Sequence, residues 1–565
     1  MKKIICSVLA TVFIFISAQV FIAKENIYEK GDINQNGKIS LVDAMLSFRH
    51  IAGKTELNEE QKRSADINYN NSVELQDCMQ LFNFIAGKQK QLVNESNLEN
   101  AYEKAATAVV STDANQQLLQ GMGVEFDPHF FVSYNPSLTE EDWNLIMKRL
   151  DILGVQSFRI MAAPSYFESV NDNDDPNVIN WDNVNFETQQ IKTMCRILDA
   201  AEPRGIQVNI TFFCVDVGWL AQSGQSYWGQ APNDLDEYAE NMSILMQYLI
   251  NKKGYNCIKD FTPANEASNW YTSPDERTPI QFYIDACRKI DERFTKDGIR
   301  EKLNFVLNDY YQNDTWFKTC STELKDISDA FNFHTYAYSD VSSYYDMNSF
   351  FNKLITLSDG TPLICDEFGG KNIDAYHQFD MDTYERGLFY SRFVEAFLNA
   401  GGAGLKSWCF FDQFYYAGSR EDALMNVGLF KYKDENWEVR PFYHAYGLIM
   451  KYTRPGSSIY PLSVKEVTDS GMVMKRPNIT GTALQSPEKK WTYLVTNNAR
   501  LDSKMIKIEN PHLDRQTTFN VHIYSENNVS LSENLISAVN NYSITISDTT
   551  YITLEPETFA VITEY

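Results

Sequence analysis

The sequence predicts an α/β chain whose body is a (β/α)8, or TIM, barrel, with an antiparallel β-sandwich after it and a small α-helical module before it. Three observations predict this. Between residues 119 and 451, short apolar runs alternate with amphipathic stretches, the pattern of βα units wound around a parallel sheet. From 452 to 565, period-two segments such as Trp491-Thr-Tyr-Leu-Val-Thr and Thr518-Phe-Asn-Val-His-Ile-Tyr are separated by Asn, Ser, Asp and Gly turns, which reads as a sandwich. Finally, residues 31–54 recur at 65–88 with an offset of 34, each copy ending in an apolar helical stretch that closes on Ile-Ala-Gly-Lys.

A chain of 565 residues exceeds a single core, and 44% hydrophobic residues suffice for several. Its net charge of −25 opposes nucleic acid and anionic membrane as partners, since both would be repelled. Met1-Lys-Lys followed by the apolar run from Ile4 to Phe21 has the form of a secretory signal, placed at 1–23, with a retained anchor as the alternative. The mature chain is therefore expected outside the cell. Nine cysteines are scattered without metal spacing, so no structural disulfide is expected and Cys214, Cys365 and Cys409 read as small buried apolar groups.

The repeated module carries its own chemistry. Gly-Asp32-Ile-Asn34-Gln-Asn36-Gly37-Lys38-Ile-Ser40-Leu-Val-Asp43 aligns with Ala-Asp66-Ile-Asn68-Tyr-Asn70-Asn71-Ser72-Val-Glu74-Leu-Gln-Asp77. Side-chain oxygens at loop positions 1, 3, 5 and 12, a carbonyl at 7 and a water-mediated contact at 9 make a calcium loop, with a left-handed residue at 6. One loop takes Asp32, Asn34, Asn36, Lys38, Ser40 and Asp43; the other takes Asp66, Asn68, Asn70, Ser72, Glu74 and Asp77. Two calcium ions are expected. Residues 26–90 resemble a type I dockerin, the module by which secreted polysaccharide-degrading enzymes dock onto cohesins of a scaffold protein. The resemblance implies a cohesin partner. Leu41-Val42 and Leu75-Gln76 depart from the Ser-Thr pair that many dockerins carry there.

Residues 91–103 are polar and suit a tether, and the strand within 104–118 is expected to join the sandwich. Barrel strands are expected near 121–126, 155–161, 206–213, 260–264, 302–308, 329–334, 362–366 and 404–410. Helices are expected at 139–152, 185–203, 234–252, 278–296, 315–326 and 382–399. A doubly wound sheet is the competing architecture, but no Gly-rich nucleotide loop follows any strand.

Catalytic groups of barrel enzymes sit at the carboxyl ends of the strands. Pro362-Leu-Ile-Cys-Asp-Glu-Phe-Gly-Gly370 ends the seventh strand with Glu367, and Asp260-Phe-Thr-Pro-Ala-Asn265-Glu266 ends the fourth with Glu266. Arg159 closes the second strand, His334 and Tyr336 the sixth, and Trp408 the eighth. With these motifs the barrel resembles glycoside hydrolase clan A, with features of families 30 and 5. Family 5 is disfavoured by the absence of a histidine around the third strand. The resemblance implies a retaining mechanism in which Glu266 is the acid/base and Glu367 the nucleophile.

That chemistry needs two carboxyl groups about 5–5.5 Å apart with divergent pKa values. Arg159 and His334 are expected to keep Glu367 ionised, while Glu266 holds its proton in a drier pocket; Asp366 should point away by strand alternation. Substrate contacts are expected from Arg159, Asn265, His334, Tyr336, Trp408, Trp219 and Trp270. About half of Trp228, Tyr271, Tyr310, Tyr311, Tyr338, Phe414, Tyr415 and Tyr416 should add stacking surface. The function expected is a secreted, scaffold-docked retaining hydrolase of β-linked plant cell-wall polysaccharide, needing no catalytic cofactor. The alternative is a docked carbohydrate-binding barrel that does not react.

Overall fold

The computed structural model describes residues 30–67, 73–88 and 104–565, except 136–137, 224–230, 312, 338–342, 371–379, 469, 539 and 545–548. The expected leader and tether, Asn68, Asn70, Ser72, Trp228 and Tyr338 lie outside the described residues.

The N-terminal module holds α1 (Leu41–Ile51), α2 (Glu59–Ala65) and α3 (Leu75–Ile85). Ser40 and Asp43 cap α1 reciprocally, and Gly53 ends it at φ +64, a left-handed position that glycine reaches without strain. Ile33, Ala44, Leu57, Ala65, Ile67 and Leu81 form its core. Helix α2, capped by Asn58, supplies Ala65 to that core and lies between the two copies of the repeat.

Strand β1 (Ala106–Val110) precedes the barrel. The barrel strands are β2 (Gly121–Glu125), β3 (Ser157–Ala162), β4 (Gln207–Phe212), β5 (Ile258–Thr262), β6 (Asn304–Tyr310), β7 (Ala330–Ala337), β8 (Leu363–Gly370) and β9 (Gly404–Ser407). All pair in parallel, and β9 returns to β2, so the sheet is closed and the doubly wound alternative is excluded. Gly123 permits the tight β2–β3 approach: a Cβ there would lie 1.9 Å from the Ser157 carbonyl oxygen.

Around the barrel lie α4 (Glu140–Leu153), α5 (Gln189–Ala201), α6 (Leu235–Gln247), α7 (Pro279–Lys296), α8 (Asp314–Glu323), α9 (Tyr344–Leu357), α10 (Tyr384–Ala400) and α11 (Pro441–Tyr452). Helix α9 fills the gap between β7 and β8 that the sequence reading left without a helix. Its signals are a Ser343 cap and buried Met347, Phe351 and Leu354 at spacings of four and three. Among the described residues no helix is long and apolar enough to cross a membrane.

A short ribbon, β10 (Gln413–Phe414) and β11 (Leu424–Met425), follows β9. The C-terminal strands are β12 (Ser458–Lys465), β13 (Ile479–Gln485), β14 (Trp491–Asn497), β15 (Lys504–Glu509), β16 (Thr517–Tyr524), β17 (Asn540–Ile544), β18 (Thr549–Leu554) and β19 (Thr558–Thr563). With β1 they form a sheet ordered β17-β16-β19-β14-β13-β12-β1-β15-β18 around a core that includes Ala108, Trp491, Tyr493, Phe519 and Ile562. One pairing departs from the antiparallel expectation: β1 runs antiparallel to β12 but parallel to β15. A strand arriving from the far end of the chain is not bound by hairpin geometry. Helix α10 packs on this sheet, where the hydroxyls of Thr480 and Thr496 donate to the buried carboxyl of Glu395 at 2.6 and 2.7 Å.

Candidate active site

Strand alternation delivers every second side chain to the barrel interior, and two irregularities change what arrives there. In β8, Phe333 pairs with Cys365 but His334 pairs with Glu367, leaving Asp366 as the extra residue. Asp366 therefore faces inward, not outward as alternation predicts, and accepts from Asn332 at 2.9 Å. In β6 the register slips between Leu307 and Tyr310, where Asn308 and Asp309 have φ of +100 and +39. This turns Asp309, which the sequence reading did not single out, into the centre of the barrel.

Glu266 also has a left-handed backbone, φ +46, at the start of the single helical turn Ala267–Trp270. A non-glycine residue is strained there unless its surroundings hold it. The hold is visible: the Glu266 N–H donates to Asp309 Oδ2 at 2.6 Å.

Arg159 is fully enclosed at the hub. Its guanidinium donates to Glu125 Oε2 at 2.5 Å, Glu367 Oε2 at 2.9 Å and Asn265 Oδ1 at 2.6 Å. It also lies 3.7 Å from Asp366 and 3.8 Å from Asp309. With no exposed surface on either side chain, Arg159 and His334 do not meet a substrate directly, against the contacts expected of them; their geometry is that of positioning residues. His334 is equally enclosed. Its Nδ1 lies 3.2 Å from Glu266 Oε1 and 3.4 Å from Glu367 Oε2, and its Nε2 lies 2.9 Å from Asp309 Oδ1 and 3.4 Å from Asp366 Oδ1. Nδ1 is hydrogen-bonded to Glu266 and both ring nitrogens lie close to carboxylates, a setting that favours the doubly protonated imidazolium. Burial alone would lower its pKa, but Asp309 and Glu367 raise it well above the usual histidine range.

Glu266 and Glu367 meet across this imidazolium, with carboxylate oxygens within 4.8 Å of each other. The Tyr336 hydroxyl donates to Glu367 Oε1, and the Trp270 indole N–H to Glu266 Oε2 at 3.2 Å. The drier pocket belongs to Glu367, whose side chain is 8% exposed against 15% for Glu266, which reverses the expectation. Burial pushes the Glu367 carboxyl up, and His334 and Arg159 only partly offset it. Burial also acts on Glu266, but the hydrogen bond and charge of His334 outweigh it and hold that carboxyl below its usual range. Glu266 stands on the rim, where His334 and Trp270 reach it; Glu367 stands deeper, closed in by Tyr336.

Sequence reasoning missed Glu125 and Asp127 at the end of β2. Burial and then Asp127 push Glu125 well above the ordinary carboxylate range, and Tyr415 donates to Glu125 at 3.1 Å and Asp127 at 2.6 Å. The apolar Val-Glu-Phe setting of Glu125 at a strand end was the available signal. Trp408 donates its indole N–H to Tyr415 at 3.1 Å and meets Tyr336 edge-on at 5.8 Å. Of the candidate stacking rings, Trp219, Trp270, Tyr311, Tyr336, Phe414, Tyr415 and Tyr416 keep exposed surface, whereas Tyr271 and Tyr310 are buried core.

In the N-terminal module, the first loop wraps its oxygens inward. Asp32 accepts the N–H groups of Asn36 at 3.1 Å and Gly37 at 2.7 Å, Asn36 accepts that of Lys38 at 3.0 Å, and Asp43 accepts those of Asn34 at 3.0 Å and Ser40 at 2.8 Å. In the second, Asp77 accepts the N–H groups of Ile67 at 2.8 Å and of Glu74, the counterpart of Ser40, at 2.9 Å. Asp66 stands beside Lys30, whose ammonium lies 4.0 Å from its carboxylate. The donor set is all hard oxygen and fits calcium. Leu41, Val42, Met45 and Phe48 of α1 and Leu75 and Met79 of α3 are exposed apolar residues.

Residues 30–86 match the dockerin type I domain model. No curated protein matches the chain in sequence. Among solved structures the chain is similar to a GH30 endoxylanase from Clostridium papyrosolvens at 14% identity and TM-score 0.56, covering 81% of this chain and 99% of that one. It is similar to the catalytic domain of GH30 xylanase C from Talaromyces cellulolyticus at 11% identity and TM-score 0.57, covering 81% and 100%. A third likeness is to an α-L-arabinofuranosidase from Thermotoga maritima at 14% identity and TM-score 0.56, covering 81% and 99%. At these identities the likeness is one of fold.

Proposed function

We propose that this chain is a secreted, scaffold-docked retaining glycoside hydrolase acting on a β-linked plant cell-wall polysaccharide. The observation that carries the reading is the pair Glu266 and Glu367, at the ends of the fourth and seventh barrel strands with oxygens within 4.8 Å. A close approach of this kind supports double displacement, in which the two carboxyl groups stand about 5–5.5 Å apart. Glu367 attacks the anomeric carbon, held in line by Arg159 and Tyr336. Glu266 protonates the leaving oxygen and then activates the water.

Four carboxylates (Glu266, Asp309, Asp366 and Glu367) face two cations, Arg159 and His334, while the raised Glu125 favours its neutral form beside them. The excess negative charge favours one proton on the catalytic pair. In the empty site that proton favours Glu367. The reaction requires it on Glu266, and a sugar that covers Glu266 and excludes water from the rim favours that transfer. Asn265, Trp408 and Trp270, whose indole N–H reaches Glu266, border the sugar nearest the reaction, and Trp219 offers a further stacking face.

The exposed apolar residues of α1 and α3 serve as the cohesin face, with Asp32, Asn34, Asn36, Lys38, Ser40 and Asp43 in one calcium loop and Asp66, Asn68, Asn70, Ser72, Glu74 and Asp77 in the other. The apolar leader at 1–23 supports export.

Glu367→Ala should abolish hydrolysis, and added azide should restore turnover as an α-glycosyl azide. Wild-type activity in that variant would sink the assignment. Calorimetric binding of oligosaccharide without product from the wild-type chain would leave the non-reacting barrel.

A further inference from the structure

Away from the catalytic pair, the loop after β3 and one face of α6 enclose a second group of acids. Glu168 and Asp172 of the loop are 1% and 2% exposed; Glu240 and Asn241 of α6 are 1% and 0% exposed. Glu237, Glu240 and Asn241 fall at i, i+3 and i+4 and so share one helix face. Asn241 Nδ2 donates to Glu168 Oε2 at 2.8 Å, and the Asp172 N–H donates to Glu168 Oε1 at 3.2 Å. Asn171 Nδ2 donates to Glu237 Oε2 at 3.0 Å, closing loop against helix.

Two features of this group are unexplained by the fold. First, charge does not balance: Glu168, Asp172, Glu237 and Glu240 stand near one guanidinium, that of Arg293, which lies 3.4 Å from Glu240 and is already paired with Asp297 at 2.5 Å. Second, Asp172 Oδ1 and Asn241 Oδ1 are buried and accept no hydrogen bond. A buried acceptor without a partner is destabilising, and two such acceptors, one on the loop and one on α6, leave room for a partner that serves both. Burial and the neighbouring acids push Glu168 and Glu240 each up to about 7, as expected of carboxylates short of positive charge.

We propose that Glu168, Asp172 and Asn241 form a site for a hard divalent cation, calcium by its all-oxygen donors, that fastens the loop after β3 to α6. Its ligands are Asp172 Oδ1 and Asn241 Oδ1, the two oxygens left without a hydrogen-bond partner, and the Glu168 carboxylate, with Glu237 and Glu240 as outer negative charge. The Glu168 carbonyl accepts the Trp219 indole N–H at 3.2 Å, so the cation also steadies one wall of the cleft. The site is separate from the dockerin loops and does not depend on the proposed reaction.

The test uses the full chain. Equilibrium dialysis with Ca2+ should find one fewer bound ion in Asp172→Asn than in wild type, and Tb3+ emission sensitised through Trp219 should be lost in that variant. Unchanged stoichiometry together with unchanged Tb3+ emission would overturn the proposal. Should Asp172→Asn not fold, Asn241→Asp supplies the second arm. Added carboxylate charge at an existing ligand should lower the Kd of the Trp219-sensitised site by about tenfold. An unchanged or weaker Kd there would equally overturn it.

Discussion

At the scale of single residues, His334 governs the site because one ring nitrogen faces Glu266 and Glu367 and the other faces Asp309 and Asp366. Its pKa is pulled down by burial and lifted further by Asp309 and Glu367. A raised histidine contributes stability that is complete below about 6.5 and disappears as pH climbs through the folded value. Asp309→Asn removes one of the lifting charges, so His334 should lose its proton at lower pH. The alkaline limb of the kcat/KM profile should then move to lower pH, with kcat falling by roughly 10-fold or more because the Glu266 backbone also loses its charged acceptor. A pH–rate series on a soluble oligosaccharide checks this, and an unmoved limb would separate Asp309 from the acid. Glu266→Ala should slow substrates with poor leaving groups by about 10²–10⁴-fold while sparing activated aryl glycosides in the first step. A loss independent of the leaving group would remove Glu266 from the acid role.

At the scale of elements, the joint between α10 and the sandwich depends on protonation. Burial pushes the Glu395 carboxyl up to about 8, and the hydroxyls of Thr480 and Thr496 only partly offset it. An acid whose folded pKa lies above its unfolded one contributes stability at low pH that is lost between about 4.5 and 8. Glu395→Gln keeps the shape and removes the charge. The variant should lose less stability than the wild type as pH rises from about 5 to above 8, with the difference largest above pH 8. Thermal melts at several pH values check the slope; parallel curves would contradict it. The bulges of β6 and β8 belong to this scale too. Each adds a carboxylate to the interior that regular alternation would have sent outward, and together they supply His334 with Asp309 and Asp366.

At the scale of the whole molecule, the N-terminal dockerin module and the barrel have separate cores. Asp32→Ala combined with Asp77→Ala removes a first-position and a last-position carboxylate from the two repeated loops. Capture by a cohesin should be lost while hydrolysis of a soluble polysaccharide stays within about twofold of wild type, since hydrolysis does not use the dockerin loops. Pull-down and reducing-sugar release on the same preparation check both halves. Loss of hydrolysis in step with capture would show that the modules are coupled.

The sequence by itself determined what short-range pattern can encode. Period and turn residues fix the alternation of strands and helices, a repeated spacing of oxygens fixes the two loops, and an acid at the end of an apolar strand marks Glu266 and Glu367. Only the tertiary structure decided how those acids are served. Asp309 and Asp366 enter the site through register slips, and Glu125 reaches Glu367 only through Arg159. Glu367 proves the more enclosed of the pair, and α9 fills a gap that its own capping signal could have closed. The reason is that register, burial and charge coupling are properties of neighbours far apart in the chain, and a pattern read along the chain carries no distance between them.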